Sequence, residues 1–285
     1  MLVSPIGVKF VRALDTSGHE KSGDYIADKL GEVIDEIGPE HITAVIMDGA
    51  YNNVSANELL EERYPRLFTL HCTAHALDLA LERICELSYF SDCVSWNEWG
   101  SKRDYRDKAR YVNKAVLNAA FWRPIAHFCY VLKPIVRLLR LVDSNMPSMS
   151  KVYPECCAIE THIESTKMPD DVKQDVLDIF RNRWDKMHSP LHSVGYMLEP
   201  QFQCTDFGSE VRKDFRDTMK RMFPNSEDYK AVLSQHTKFT NKEGIYGDAD
   251  IMSLTQDDIE HAIPTYQFWS EQGHETPLLA KASVV

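Results

Sequence analysis

The chain has 285 residues, 44% of them hydrophobic and 26% charged, a length for one elaborated domain or two ordinary ones at a composition close to the soluble globular average. A disordered tail and a fibrous protein are thereby excluded. With 32 basic against 43 acidic side chains the net charge is −11, which taken over the whole chain is unfavourable for nucleic-acid binding.

The first 16 residues read as a hairpin: an apolar run at 1–3, the turn Ser4-Pro5-Ile6-Gly7, and an alternating run at 8–14. Ile26, Leu30, Val33, Ile34 and Ile37 then recur at helical spacing between Ser22 and Gly38, which predicts an amphipathic helix with a C-terminal glycine. The continuous run Ile42-Thr43-Ala44-Val45-Ile46-Met47 predicts a strand buried on both faces, with Asp48 at its carboxyl end. A helix at 53–63 stopped by Pro65, a buried strand at 67–70 and a helix at 74–87 complete an α/β pattern. Beyond Leu87 few strand signals remain. Helices are predicted at 108–120, 125–142, 172–184, 210–222 and 256–262, with Pro124, Pro134, Pro147 and Pro154 as punctuation. The final run Leu278-Leu279-Ala280 ends without a capping signal, and the chain is expected to be cut there.

Seven cysteines (Cys72, Cys85, Cys93, Cys129, Cys156, Cys157 and Cys204) are odd in number and form no CxxC pair, which points to a reducing, intracellular compartment. Lys9 interrupts the N-terminal apolar run before a signal peptide could form, and no stretch reaches the roughly 18 apolar residues of a membrane span. No membrane partner is expected.

Charge is distributed unevenly. Residues 102–140 hold ten basic side chains (Lys102, Arg103, Arg106, Lys108, Arg110, Lys114, Arg123, Lys133, Arg137 and Arg140) and two acidic ones, a local balance of +8. Such asymmetry points to an anionic partner, the alternative being a solvated helical face paired with acidic neighbours in the same fold.

Two places could carry chemistry. A carboxylate at the end of a central strand, as Asp48 is, faces the crevice where α/β folds take ligands and suits Mg²⁺ or Mn²⁺; it suits equally an Asx turn or a helix N-cap. In His71-Cys72-Thr73-Ala74-His75 the pair Cys72 and His75 offers two metal ligands of the four a structural zinc needs, and reads otherwise as a packed cysteine and a hydrogen-bonded histidine opening a buried helix. Glu98 with Trp96 and Trp99, and Arg183 with Trp184, read as packing anchors. No phosphate loop, dinucleotide fingerprint, nucleophile elbow or HExxH occurs.

Taken together, the runs Val45-Ile46-Met47-Asp48-Gly49-Ala50-Tyr51-Asn52-Asn53, Leu59-Leu60-Glu61-Glu62-Arg63-Tyr64-Pro65 and Cys72-Thr73-Ala74-His75-Ala76-Leu77-Asp78-Leu79 resemble the hAT superfamily of DNA transposases, in particular the domain of unknown function of hAT-like elements. Further stretches resemble it collinearly: Ser4-Pro5-Ile6-Gly7 before them and, after them, Leu138-Leu139-Arg140-Leu141-Val142-Asp143, Arg183-Trp184-Asp185, Ser189-Pro190-Leu191-His192, Gly195-Tyr196-Met197-Leu198-Glu199-Pro200, and Trp269 through Leu279.

The resemblance implies an α/β fold, an incomplete ribonuclease H-like mixed sheet interrupted by a long all-α insertion. It divides the chain into an N-terminal part of the core at 1–87 lacking its first strand, a helical insertion at 88–262, and a return to the core at 263–285 cut before the last catalytic helix. It makes Asp48 the second acid of a DDE triad and a metal ligand, and Cys72 and His75 the family CxxH motif. The first acid would lie before this chain and the third after it, while Asp15 and Asp143 are the substitutes the chain itself offers. The expectation is therefore a fragment of, or a domesticated, hAT-like transposase without catalytic activity. It would bind DNA weakly through Lys102, Arg103, Arg106, Lys108, Arg110 and Lys114, in the nucleus or cytoplasm. Mg²⁺ or Mn²⁺ would serve an intact relative and no cofactor this chain; a further transposase subunit is a possible partner. The alternatives are an active enzyme whose catalytic ends lie outside this chain and a decayed fragment without function.

Overall fold

Along the described residues (1–4, 7–90, 119–144, 147–255 and 263–283 of a computed structural model) the chain runs through a hairpin, a helix, a strand-helix-strand unit and then helices. The hairpin pairs β1 (Leu2–Ser4) antiparallel to β2 (Gly7–Lys9), with Ser4 opposite Gly7. Its second strand is shorter than the apolar run predicted, and Val3, Val8 and Phe10 are exposed, as befits a hairpin that forms a sheet of two strands among the described residues.

Helix α1 (Gly23–Ile37) begins where Ser22 accepts the Tyr25 amide on its side chain and ends where Gly38 turns out at φ 99°, its N–H held by the Ile34 carbonyl. Strand β3 (Ala44–Met47), helix α2 (Tyr51–Arg63) and strand β4 (Phe68–His71) follow, the strands parallel with Ala44 opposite Phe68 and Met47 opposite His71. Helices α1 and α2 lie close because Gly23 has no side chain: a Cβ there would stand 2.5 Å from Ser55 Oγ. Together they cover one sheet face, where Ala27, Ile34, Ala56, Leu60 and Leu67 enclose Val45 and Met47.

Then come α3 (Thr73–Cys85), α4 (Ala119–Val142), α5 (Met149–Glu164), α6 (Asp170–Met187), α7 (Pro190–Leu198), α8 (Ser209–Met222), α9 (Ser226–Thr240), α10 (Ala249–Ser253), α11 (Thr265–Gln272) and α12 (Pro277–Ser283). The expected helix at 256–262, and that at 108–120 except for its last two residues, lie outside the described residues. The architecture is thus mixed α/β with a large helical part, and each sheet among the described residues has two strands.

Two expectations are corrected. Strand β3 is not buried on both faces: Ile46 is 61% exposed, because β3 is an edge strand and the cover on that side, Leu191 with Met149 and Met222, reaches Ala44, Phe68 and Leu70. Nor do three of the four prolines punctuate, since Pro124 and Pro134 lie inside α4 and Pro154 inside α5, whereas Pro147 stands just before α5 as expected. A proline leaves the carbonyl four residues earlier without its helical donor. For Pro134 that carbonyl belongs to Tyr130, and His162 supplies the missing N–H.

Two compact units emerge, the chain passing from one to the other at 71/72, 146/147, 153/154 and 187/188. The first comprises Met1–His71, Pro147–Tyr153 and His188–Val285. Besides the sheet it contains an aromatic core in which Phe239, Tyr246, Phe268 and Trp269 meet, with Trp269 Nε1 donating to the Leu198 carbonyl at 2.8 Å. The buried Glu199 carboxylate accepts the Ser150 hydroxyl at 2.6 Å and also the Thr265 hydroxyl. The second unit comprises Cys72–Met146 and Pro154–Met187. Its α3 packs on α4 and α6, burying Leu77, Ala80 and Ile84 of α3, Val131, Ile135 and Leu138 of α4, and Val176 and Phe180 of α6.

Candidate functional site

The register places Asp48 one residue past Met47, at the carboxyl end of a parallel pair, where α/β sheets characteristically present ligand-binding groups. Asp48 Oδ1 accepts the Ala50 amide at 2.9 Å and the Asn53 side-chain amide at 2.8 Å. This is an Asx turn that starts α2, and it is needed because the N-cap residue, Ala50, has no side chain to cap with. Gly49 faces His71, whose Nδ1 is buried without a hydrogen-bond partner; a Cβ on Gly49 would stand 3.8 Å from it.

Two-metal strand transfer needs several carboxylates converging on one point. Among the described residues no group of three or more His, Cys, Asp or Glu side chains is placed to hold a metal ion. Asp15 is exposed and occupied with Ser17, whose hydroxyl and amide hold its carboxyl below the usual aspartate value. Asp143 lies in the other unit, its amide closing the end of α4 on the Leu139 carbonyl.

Cys72 is the N-cap residue of α3 and half-buried, with its carbonyl accepting the Ala76 amide; its side chain makes no capping hydrogen bond. His75, in the first turn, is exposed. A Ser, His and Asp grouping the sequence did not suggest also occurs: Ser193 donates to Asp214 Oδ2 at 2.6 Å, with His188 Nε2 3.4 Å from Ser193 Oγ. Ser193 is fully buried and its proton goes to the carboxylate, so the arrangement is a packing tie and not a nucleophile.

Lys102, Arg103, Arg106, Lys108, Arg110 and Lys114 all lie outside the described residues, as do Trp96, Glu98 and Trp99. The C-terminal part of the basic segment is described, and it forms α4. That helix carries Arg123, Lys133, Arg137 and Arg140 and not one Asp or Glu in its 24 residues. All four cations are exposed. Burial, then the Arg123 charge, holds the His127 imidazole below its usual pKa, and its Nδ1 is hydrogen-bonded to the Tyr89 hydroxyl at 2.9 Å. Two exposed aromatic rings, Trp122 at 46% and Tyr130 at 47%, went unnoticed in the sequence. The signal was available: both stand among basic residues on a helix with no acid.

Residues 1–97 match DUF659, a domain of unknown function. That segment contains the hairpin, the parallel pair, Asp48, Cys72 and His75. No curated protein matches the chain. Among the described residues no helix is long and apolar enough to cross a membrane.

Proposed function

We propose that this chain is a nucleic-acid-binding protein resembling hAT-type DNA transposases, with a ribonuclease H-like core, that does not itself cut or join DNA. The observation that carries the reading is the position of Asp48. It lies within the DUF659 match, at the end of a parallel strand, where the resemblance expects a catalytic acid; the hydrogen bonds described at its Oδ1 are those of an Asx turn, and no group of three or more metal-ligating side chains is placed to hold an ion among the described residues. What remains for the chain is binding, supported by the basic segment.

The test is paired. Purified full-length chain is offered labelled DNA over a range of salt concentrations, and supercoiled plasmid with Mg²⁺ or Mn²⁺. Salt-sensitive binding without nicking is expected. Metal-dependent nicking abolished by Asp48→Ala overturns the catalytic half. Absence of binding at low salt overturns the other half.

A further inference from the structure

Resting on the nucleic-acid reading above, we infer that the solvent face of α4 is a platform for single-stranded nucleic acid, with Arg123, Lys133, Arg137 and Arg140 following the phosphates and Trp122 and Tyr130 stacking on bases.

At 3.6 residues per turn, Trp122, Arg123, Ala126, Cys129, Tyr130, Lys133, Arg137 and Arg140 fall within an arc of about 120°. All eight are exposed. The opposite side of the helix carries Val131, Ile135 and Leu138, buried to 1% or less. From Arg123 to Arg140 the stripe runs about 26 Å at the helical rise. No ion pair between these four cations and a carboxylate is present among the described residues, although α6 begins with Asp170 and Asp171 and the α5 acids Glu160 and Glu164 are taken by Arg181. In a chain of net charge −11, a whole helix with four cations and no acid is an electrostatic exception with a polyanion as its complement.

The choice among polyanions follows from the packing. A helix reading duplex DNA must enter a major groove about 12 Å wide, which requires most of its circumference to be free. Helix α4 is held by α3 along its buried side and flanked at Tyr130 by His162, whose ring stacks at 4.0 Å. An anionic membrane would need an apolar face to insert, and the apolar face of α4 is inside the protein. Interleaved cations and exposed aromatic rings on a shallow, flanked surface suit a single strand, whose unpaired bases offer their faces.

The test uses the full chain and fluorescence anisotropy with a labelled oligonucleotide of about 12 nucleotides, single-stranded or annealed. Four phosphate contacts predict that single-strand affinity falls about 50-fold between about 50 and 200 mM salt. The variant Lys133→Ala/Arg137→Ala/Arg140→Ala is expected to bind more weakly at low salt, with that dependence reduced to about threefold. Exchanging the same positions as Lys133→Arg/Arg137→Lys/Arg140→Lys keeps the charges and is expected to restore both, which separates lost charge from lost fold. Trp122→Ala/Tyr130→Ala is expected to keep the salt dependence while losing at least about fivefold in single-strand affinity per ring and the preference over duplex.

The platform is overturned if the triple alanine variant binds like wild type while replacement of Lys102 to Lys114 abolishes binding, a result that leaves the broader reading standing. Equal binding of duplex and single strand by wild type, or binding of phosphatidylserine vesicles in preference to either, overturns it too. Wild type that binds no nucleic acid at low salt removes the broader reading itself.

Discussion

His162 donates its Nε2–H to the Tyr130 carbonyl at 2.8 Å and stacks its ring on that of Tyr130. The carbonyl needs an outside donor because residue 134, four places on, is a proline without an N–H. Side chain, stack and proline form one device that lets α4 continue through Pro134. His162→Ala is expected to cost about 1 kcal/mol in urea unfolding. In a Pro134→Ala background the amide of residue 134 can serve the carbonyl, and the cost of His162→Ala is expected to shrink by about 0.5 kcal/mol or more. An unchanged cost in that background removes the link between the two residues.

Arg221 of α8 performs a similar service for the sheet. Its Nε donates to the Pro65 carbonyl at 2.9 Å and its Nη2 to the Leu67 carbonyl, while the guanidinium lies 4.3 Å from the Phe68 ring centroid and pairs with Glu61 at 3.3 Å. Only a planar, multidentate cation satisfies two carbonyls and stacks at once. Arg221→Lys is therefore expected to destabilise the chain by about 1 to 2 kcal/mol, and Arg221→Ala by somewhat more, by chemical denaturation. A lysine variant as stable as wild type would reduce the contact to a surface ion pair.

Asp48 separates geometry from charge. Both hydrogen bonds described at Oδ1 are accepted ones, from the Ala50 amide and the Asn53 side chain. An asparagine keeps that oxygen, an alanine does not. Asp48→Asn is expected to leave stability within about 0.5 kcal/mol of wild type, and Asp48→Ala to cost about 1 kcal/mol, as loss of a helix-start cap does. If Asp48→Asn is instead markedly stabilising and abolishes a measurable Mg²⁺-induced rise in melting temperature, the carboxylate is serving a cation.

What the sequence made legible was local. Ser22, Gly38 and the apolar spacing between them delimit α1, and the runs 42–47 and 67–70 fall on the two strands of the parallel pair. Properties depending on distant partners were not legible. The exposure of Ile46 depends on how many strands its sheet has, and the continuity of α4 through Pro134 depends on a histidine 28 residues later. Helix α7 was missed although Ser189-Pro190 opens it, because the capping box is completed by His192 where Glu or Gln is usual. At Asp48 both readings were visible, and the Ala50 and Asn53 hydrogen bonds are those of the turn. The excess of cations in residues 102–140 was plain, but that four of them share one solvent face with two aromatic rings required knowing which side of α4 is buried.

His192 and His236 make the stability of the first unit sensitive to acid. His192 is buried, and its Nδ1 accepts the Ser189 amide, so protonation there would break the cap of α7. Burial, then the neighbouring His188, lowers its pKa to about 3. Burial, then Arg212, lowers that of His236 to about 4; its ring lies tilted against Phe215 with centroids 4.3 Å apart, and its Nε2 is buried without a partner. In the unfolded chain both titrate near the ordinary value of about 6.5. Between that value and the lowered ones the unfolded state binds more protons, so unfolding free energy rises with pH across this window. Their contribution is complete above pH ~6.5 and is lost as pH falls toward about 4 and then about 3, at up to about 1.4 kcal/mol per pH unit for each histidine. Urea midpoints at pH 7 and pH 5 are expected to differ accordingly. His236→Phe, which keeps an aromatic ring against Phe215, is expected to remove about half of the histidine-linked slope. A variant with the wild-type slope would mean that His236 is protonated without cost in the folded chain.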